Sequence, residues 1–359
     1  MKDETTTKHI PVLKKEVMEL IKQRPGGVLV DATLGGAGHF TAIVEEFLKG
    51  DRSSENGDQG KQSLKTTFIG IDQDEKATNR FANYLEKTGN WQQENKEKDE
   101  CTRRFLHKEQ NVEINLINEN FENLDSSLKN LGVRKTDFVL ADLGTSQDQL
   151  EEEGRGFSFL RDEPLDMRMD KKLQVTAADL INGLSKKELI ELFNKLADLQ
   201  SVSFKLVKQI VEHRKYEPIL TTKQLVELIR QAVHGHTARF KSVGSLASEG
   251  SSKTYLSKTP KYGDKLEARV FQTLRIAVNH ELGSLRRFLP KAFETLNANG
   301  KLVIISFHSG EDRIVKDYFR DKVNKQKAEQ LEKLLLPSAV EIQENKRSSS
   351  ARLRAIQKI

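Results

Sequence analysis

The stretch Val28-Leu-Val-Asp31-Ala-Thr-Leu-Gly35-Gly36-Ala37-Gly38-His39 decides how the chain is read. Three aliphatic residues end on an acid, three glycines follow in quick succession, and an apolar pattern of helical period begins at Phe40. Strand, tight turn and helix in that order open a doubly wound α/β sheet, where ligands bind outside the carboxyl ends of the strands. Glycine lets the backbone approach a ligand without a Cβ in the way, and the start of a helix presents unpaired N–H groups.

Outward from this turn, short apolar runs at residues 68–71, 112–116 and 138–140 read as further buried parallel strands. Helix-like patterns at 40–48 and 77–85 lie between them. A fifth strand, 302–306, comes much later, after a helical stretch at 285–296 and a stop at Gly300, and is expected to resume the same sheet. The segment between has helical periods at 177–181, 186–196, 204–212 and 222–233 and no clear strand. The expected organisation is a sheet domain over 1–150, an inserted all-helical domain over 151–264, and the rest of the sheet domain with a basic tail over 265–359. Polar tracts at 50–66 and 87–111 are expected as surface loops or disordered excursions, and 242–261 as a mobile connection. Residues 349–359 are open between a last strand and a basic tail.

Composition narrows the class. Of 359 residues, 36% are hydrophobic and 31% charged, which suffices for a core if some polar segments lie outside it. No apolar run is long enough for a membrane span, and the first residues do not resemble a secretory signal. One cysteine, Cys101, excludes an intrachain disulfide framework and a cysteine-built zinc site. The expected address is the cytoplasm. Lys and Arg number 59 against 53 Asp and Glu, a net charge of +6 that permits an anionic partner without proving one.

The second strand ends in Ile69-Gly-Ile-Asp72, and an acid there can accept both hydroxyls of an adenosine ribose. A dinucleotide fingerprint would need glycine where the chain has Thr41, and Asp31 would repel a pyrophosphate. That acid suits a positively charged cofactor such as the sulfonium of S-adenosylmethionine. No phosphate-binding G-x-x-x-x-G-K-[ST] loop occurs. The fourth strand delivers Asp142-Leu-Gly-Thr-Ser-Gln-Asp-Gln149 to the same edge. Asp142 could accept a hydrogen bond from an exocyclic amine, bind the cofactor, or only cap the strand. His308-Ser309 with Glu311 lacks a nucleophile elbow and reads as a positioning element after the fifth strand. The pairs His234 with His236 and His280 with His308 lack the spacing of a zinc site, so no metal is expected.

Together with Asp31 to His39 and Asp142 to Gln149, four segments carry a resemblance. They are His9-Ile-Pro-Val-Leu13, Arg155-Gly-Phe-Ser-Phe-Leu-Arg-Asp-Glu-Pro-Leu-Asp-Met-Arg-Met-Asp170, Phe271-Gln-Thr-Leu-Arg-Ile-Ala-Val-Asn279 and Ile305-Ser-Phe-His-Ser-Gly-Glu-Asp-Arg-Ile-Val-Lys316. They resemble the ribosomal RNA small subunit methyltransferase H family, also called MraW, over nearly the whole chain. The resemblance implies a class I, Rossmann-like methyltransferase sheet with an inserted helical domain, S-adenosylmethionine as cofactor, and methylation of N4 of a cytidine in the decoding region of 16S rRNA. It implies cofactor contacts at Ala37, Gly38, His39, Asp72, Phe121, Asp142 and Gln149, with Phe121 near the adenine and Asp142 also positioning the amine. The implied partner is small-subunit rRNA or the assembling small subunit, with no membrane; a homodimer is left open.

The chain departs from the family pattern on the substrate side. Gln147 and Asp148 stand where the family has Ser and Pro, Leu196-Ala-Asp-Leu-Gln200 lacks its G-E-E, Lys265-Leu266 replaces His-Pro, and Gly310 replaces Leu. These departures motivate an alternative: a weakened RNA-binding or ribosome-assembly protein that keeps the fold. A methyltransferase for DNA or a small molecule is a third. Two sequence features suit RNA. Residues 345–359 contain Lys346, Arg347, Arg352, Arg354 and Lys358 with no acid. Arg155, Arg161 and Arg168 flank Phe157 and Phe159, a mixture suited to stacking on a base, to packing as a lid with Arg168 paired to Asp166 or Asp170, or to both.

Overall fold

Alternation along the central strands sends neighbouring side chains into two separate apolar layers. Phe68, Phe138, Leu140, Val303 and Ile305 pack with Phe40, Ile43, Phe81 and Leu85 on one side. Ile69, Ile71, Val139, Ala141 and Ile304 pack with Leu285, Phe288, Phe293, Val315 and Phe319 on the other. A sheet apolar on both faces must be covered on both faces, which is what the helices between its strands do.

The computed structural model describes residues 11–21, 27–52, 65–94, 101–146, 149–150, 152–197, 203–234 and 263–359. The chain forms two compact units, residues 1–148 with 281–359, and residues 149–280. The first carries α1 (Lys14–Leu20), β1 (Val28–Asp31), α2 (Gly38–Arg52), β2 (Thr66–Asp72), α3 (Glu75–Thr88), β3 (Trp91–Glu94), β4 (Thr102–His107), β5 (Val112–Asn118), α4 (Leu124–Asn130) and β6 (Thr136–Asp142). The second carries α5 (Ala177–Gly183), α6 (Lys186–Ala197), α7 (Ser203–His213), α8 (Thr222–His234) and α9 (Gly263–Val278). The first unit then resumes with α10 (Glu281–Thr295), β7 (Leu296–Ser306), α11 (Ser309–Asn324), β8 (Ala328–Leu335), α12 (Ala339–Glu344) and β9 (Arg352–Lys358).

Among the described residues the sheet has nine strands in the order β3-β4-β5-β2-β1-β6-β7-β9-β8. From β5 to β7 neighbours are parallel, and β9 runs antiparallel between β7 and β8. This is a doubly wound parallel core closed by an antiparallel strand, the architecture expected from the sequence. Among the described residues no helix is long and apolar enough to cross a membrane.

Four expectations need correction. The helical unit ends at His280 rather than 264. Val270, Phe271 and Leu274 of α9 lie in its core, and Asn279 accepts the Met169 N–H at 2.7 Å and donates to the Met167 carbonyl at 2.8 Å. The polar tract 87–111 contains β3 and β4, although 95–100 lie outside the described residues. Arg104 bridges Glu94 and Glu113 on the neighbouring strands, and Phe105 and Trp91 are buried beneath. Gly300 falls within β7, where the pairing register shifts, rather than stopping a helix. The chain's last residues form β9 rather than a basic tail. Leu353 and Ala355 enter one core and Ile356 the other. The expected loop at 50–66 and connection at 242–261 lie largely or wholly outside the described residues.

Within β9, the buried Arg354 forms a two-pronged pair with Asp312 of α11 at 2.7 and 3.1 Å and also donates to the Lys333 carbonyl. Removing one partner of a buried pair leaves the other charge uncompensated. Asp312→Ala is therefore expected to cost about 3 kcal/mol, read from urea unfolding, and Arg354→Met in the same chain to recover much of the loss.

Candidate active site at the carboxyl edge of the sheet

Strand β1 has β2 on one side and β6 on the other, so the strand order reverses beside it and a crevice opens at its carboxyl end. The chain leaving β1 is tied to both neighbours: the Ala32 N–H donates to the Leu140 carbonyl and the Leu34 N–H to the Ile71 carbonyl, each at 2.8 Å. Gly35 follows with φ of +49°, a conformation that side-chain-bearing residues rarely adopt, and donates its N–H to Asp72 Oδ2 at 2.7 Å. Ala37 takes a φ of 57° and donates to the Leu34 carbonyl at 2.6 Å, and Gly38 then starts α2.

Three carboxylates converge on this turn. Asp31, only 3% exposed, accepts the Thr33 N–H at 3.0 Å. Asp72 accepts from Gly35 on one oxygen and from the Asp74 N–H, at 2.8 Å, on the other. Asp142 donates its own N–H to Thr33 Oγ1 at 2.6 Å, and its Oδ2 lies 3.6 Å from His39 Nε2. Asp142 Oδ1 is buried and has no hydrogen-bond partner among the described residues.

Burial dominates the electrostatics. It pushes the Asp31 carboxyl up to about 7, with the Asp72 charge adding to the effect and the Thr33 N–H opposing it. Burial likewise raises Asp72 to about 6, against the N–H bonds from Asp74 and Gly35. Asp142 is held well above the usual carboxylate range by burial first, then by the charges of Asp31 and Glu311. Buried acids that repel one another favour any cation that enters. Among the described residues no group of His, Cys, Asp and Glu is arranged to hold a metal ion. The unpartnered Asp142 oxygen and this set of acids fit an organic cation.

The other expected residues are distributed as follows. Phe121 opens a 3-10 turn just after β5, the neighbour of β2, with its ring edge-on to Phe288 at 5.1 Å. Gln149 is buried and is the first residue of the helical unit. Thr33 was missed as a site residue, while Glu311 belongs to the positioning element expected after the fifth strand. Glu311 is 2% exposed and accepts the Phe307 and His308 N–H groups at 2.9 and 3.3 Å, and the His308 Nδ1 accepts the Gly310 N–H at 3.1 Å. The signal was available as a capping box at the start of α11, with His308 in the place of the usual hydroxyl residue.

The arginine and aromatic loop of the helical unit turns inward. Arg155 is buried and donates to the Arg168 and Met169 carbonyls, Arg161 to the Leu150 and Glu152 carbonyls, and Arg168 grips Asp166 at 2.7 and 2.8 Å. Phe157 lies in the core and Phe159 packs edge-on to Phe271 at 5.7 Å. Gly156 permits this, since a Cβ there would sit 2.5 Å from the Pro164 carbonyl oxygen. The packed reading holds for Arg155, Phe157 and Arg168, while Phe159 and Arg161 are half-buried.

The family model described as the MraW methylase family matches residues 6–91 and 86–359. The chain belongs to the MraW methylase family. It is 34% identical over 368 residues to ribosomal RNA small subunit methyltransferase H of Clostridioides difficile strain 630, covering 98% of this chain and 99% of that protein. To the protein of the same name from Carboxydothermus hydrogenoformans it is 35% identical over 367 residues, covering 98% of each. A crystal structure of an rRNA methylase from Streptococcus thermophilus aligns with 13% identity and a TM-score of 0.35, covering 96% of this chain and 93% of that one. Of the departures from the family pattern, Gln147, Asp148 and residues 198–200 lie outside the described residues. Leu266 is buried in the helical core, and a Cβ on Gly310 would come within 3.1 Å of the His308 ring.

Between pH about 4 and 7 the folded protein keeps protons on Asp31 and Asp72 that the unfolded chain has released, so stability falls as pH rises through that window. Asp31→Asn, which can still accept from Thr33, is expected to flatten the fall. Urea midpoints at about pH 5 and pH 8 check this, and a wild-type chain no less stable at the higher pH would contradict it.

Proposed function

We propose that the chain transfers a methyl group from S-adenosylmethionine to N4 of a cytidine in small-subunit rRNA. The observation that carries the reading is the set of carboxylates around the turn after β1, Asp31 buried and Asp72 and Asp142 half-buried, all held above the usual carboxylate range. Membership of a methylase family supports the reaction, and the name shared by the matched relatives supports small-subunit rRNA as the substrate class.

When bound, S-adenosylmethionine supplies a methyl group already activated on a positively charged sulfur, so its departure needs no proton. The residues of the chain then orient and exclude. Asp72 would take the ribose hydroxyls, since each carboxylate oxygen keeps acceptor capacity beyond its one N–H bond. Ala37, Gly38 and His39 would line the turn, Phe121 would flank the adenine, and Gln149 would contribute from the helical unit, whose role is substrate recognition. Asp142 would accept a hydrogen from the exocyclic amine, drawing its lone pair out of the ring; the proton that the methylated nitrogen sheds passes to this carboxylate and on to water.

A cation binds best when these acids are ionised, so affinity for S-adenosylmethionine is expected to rise with pH across roughly 6 to 7. S-adenosylhomocysteine, which lacks the sulfonium charge, should show a flatter profile in the same calorimetric titration. Asp72→Ala is expected to weaken the methyl donor by about tenfold or more. Mass spectrometry of small-subunit rRNA from cells lacking the gene should find one N4-methylated cytidine lost, and unchanged cytidine methylation would remove the proposal.

A further inference from the structure

The inner face of α7 is apolar, with Ser203, Leu206, Val207 and Ile210 buried. Its outer face carries Phe204, Lys205, Lys208 and Glu212 at helical spacing, followed in the next turn by Lys215 and Tyr216. Phe204 is 57% exposed and Tyr216 87%, and they are the exposed aromatic residues among all those described. Phe204 lies in the first turn of α7 and Tyr216 in the turn that follows its last residue. The ammonium of Lys186, at the start of α6, sits 4.8 Å from the Phe204 ring centroid. Ser203 Oγ donates to Asn194 Oδ1 at 2.6 Å, fixing the start of α7 to α6.

The lysines outnumber the acids that could neutralise them. Glu212 pairs with Lys215 at 2.8 Å, and its carboxyl is held low by Lys215 first, then by Lys208 and Lys186, so these cations share one neighbourhood. Glu217 instead faces His213 at 3.2 Å, and Glu188 accepts the Ser185 N–H at 2.8 Å. A protein-binding surface draws its energy from an apolar centre depleted of lysine. Here lysines surround the exposed rings. Rings for stacking and ammonium groups for phosphates are the combination that unpaired RNA uses.

We propose that this face of the helical unit binds single-stranded RNA, with Phe204 and Tyr216 stacking on unpaired bases and Lys186, Lys205 and Lys208 meeting the phosphates. It rests on the proposed rRNA substrate and names the residues that would grip it. Arg354 and Lys358 of the C-terminal segment, and Arg155 and Arg168 of the arginine and aromatic loop, are engaged within the fold.

The test is fluorescence anisotropy of the full chain with a protein-free, loop-containing fragment of small-subunit rRNA across a salt series. Lys186→Glu with Lys208→Glu is expected to weaken binding by at least about tenfold and to reduce the salt slope by roughly one to two. The milder pair Lys186→Gln with Lys208→Gln should show a smaller loss in the same direction. Phe204→Ala should weaken binding by about tenfold with the slope unchanged, and Phe204→Tyr should restore it. Circular dichroism and affinity for S-adenosylmethionine should match wild type in every variant. Affinities and slopes within about twofold of wild type would overturn the proposal. So would a wild-type chain that ignores protein-free RNA, or a loss seen only on intact small subunits, which would assign the face to a ribosomal protein. A wild-type chain that binds the RNA through this face yet transfers no methyl group would sink the proposed activity and leave the contact standing.

Discussion

Three carboxylates, the buried Asp31 and the half-buried Asp72 and Asp142, meet where the central strand has partners on both sides, and the surrounding backbone is organised around them. Asp72, from β2, fixes the turn after β1 through Gly35, while Thr33 in that turn fixes the end of β6 through the Asp142 N–H. Three strand ends thus behave as one object. Without a counter-charge the acids are costly to ionise, so the fold keeps them partly protonated and gains when a cation arrives.

The same reasoning shows why net charge says little about partners. Lys358 donates to the carbonyls of Phe293, Glu294 and Leu296, and Lys135 to that of Glu294, so both neutralise the carbonyl-rich end of α10. Arg354 is spent on Asp312, Arg104 on Glu94 and Glu113, and Arg168 on Asp166. What distinguishes Lys186, Lys205 and Lys208 is that they surround an exposed ring.

Strands β1, β2, β5 and β6 were legible because burial on both faces demands an unbroken apolar run, as in Phe68 to Ile71. Strands β3 and β4 were not, because an edge hairpin held by Arg104 reads as a polar loop until its partners are known. Acids closing β1, β2 and β6 marked the site, since a charge at the end of a buried strand needs a reason. Glu311 was legible as part of a positioning element but not as a buried acid, because its burial depends on the turn of Phe307 and His308 above it. The fate of Arg155 was unreadable: a guanidinium beside phenylalanines suits a base and a carbonyl equally, and only the fold chooses. Phe204 was counted within a helical period, and its outward direction emerged only once Leu206, Val207 and Ile210 were seen to face the core.

Strand β9 lies between β7 and β8 although it follows both in the chain. While the polypeptide is being made, β7 has nothing on its outer flank, and β8 has no ladder to join until residues 352–358 leave the ribosomal tunnel. Until then the nascent chain carries an open apolar flank, the kind of surface that chaperones cover and on which aggregates grow. A stop codon just before residue 352 would make that flank permanent.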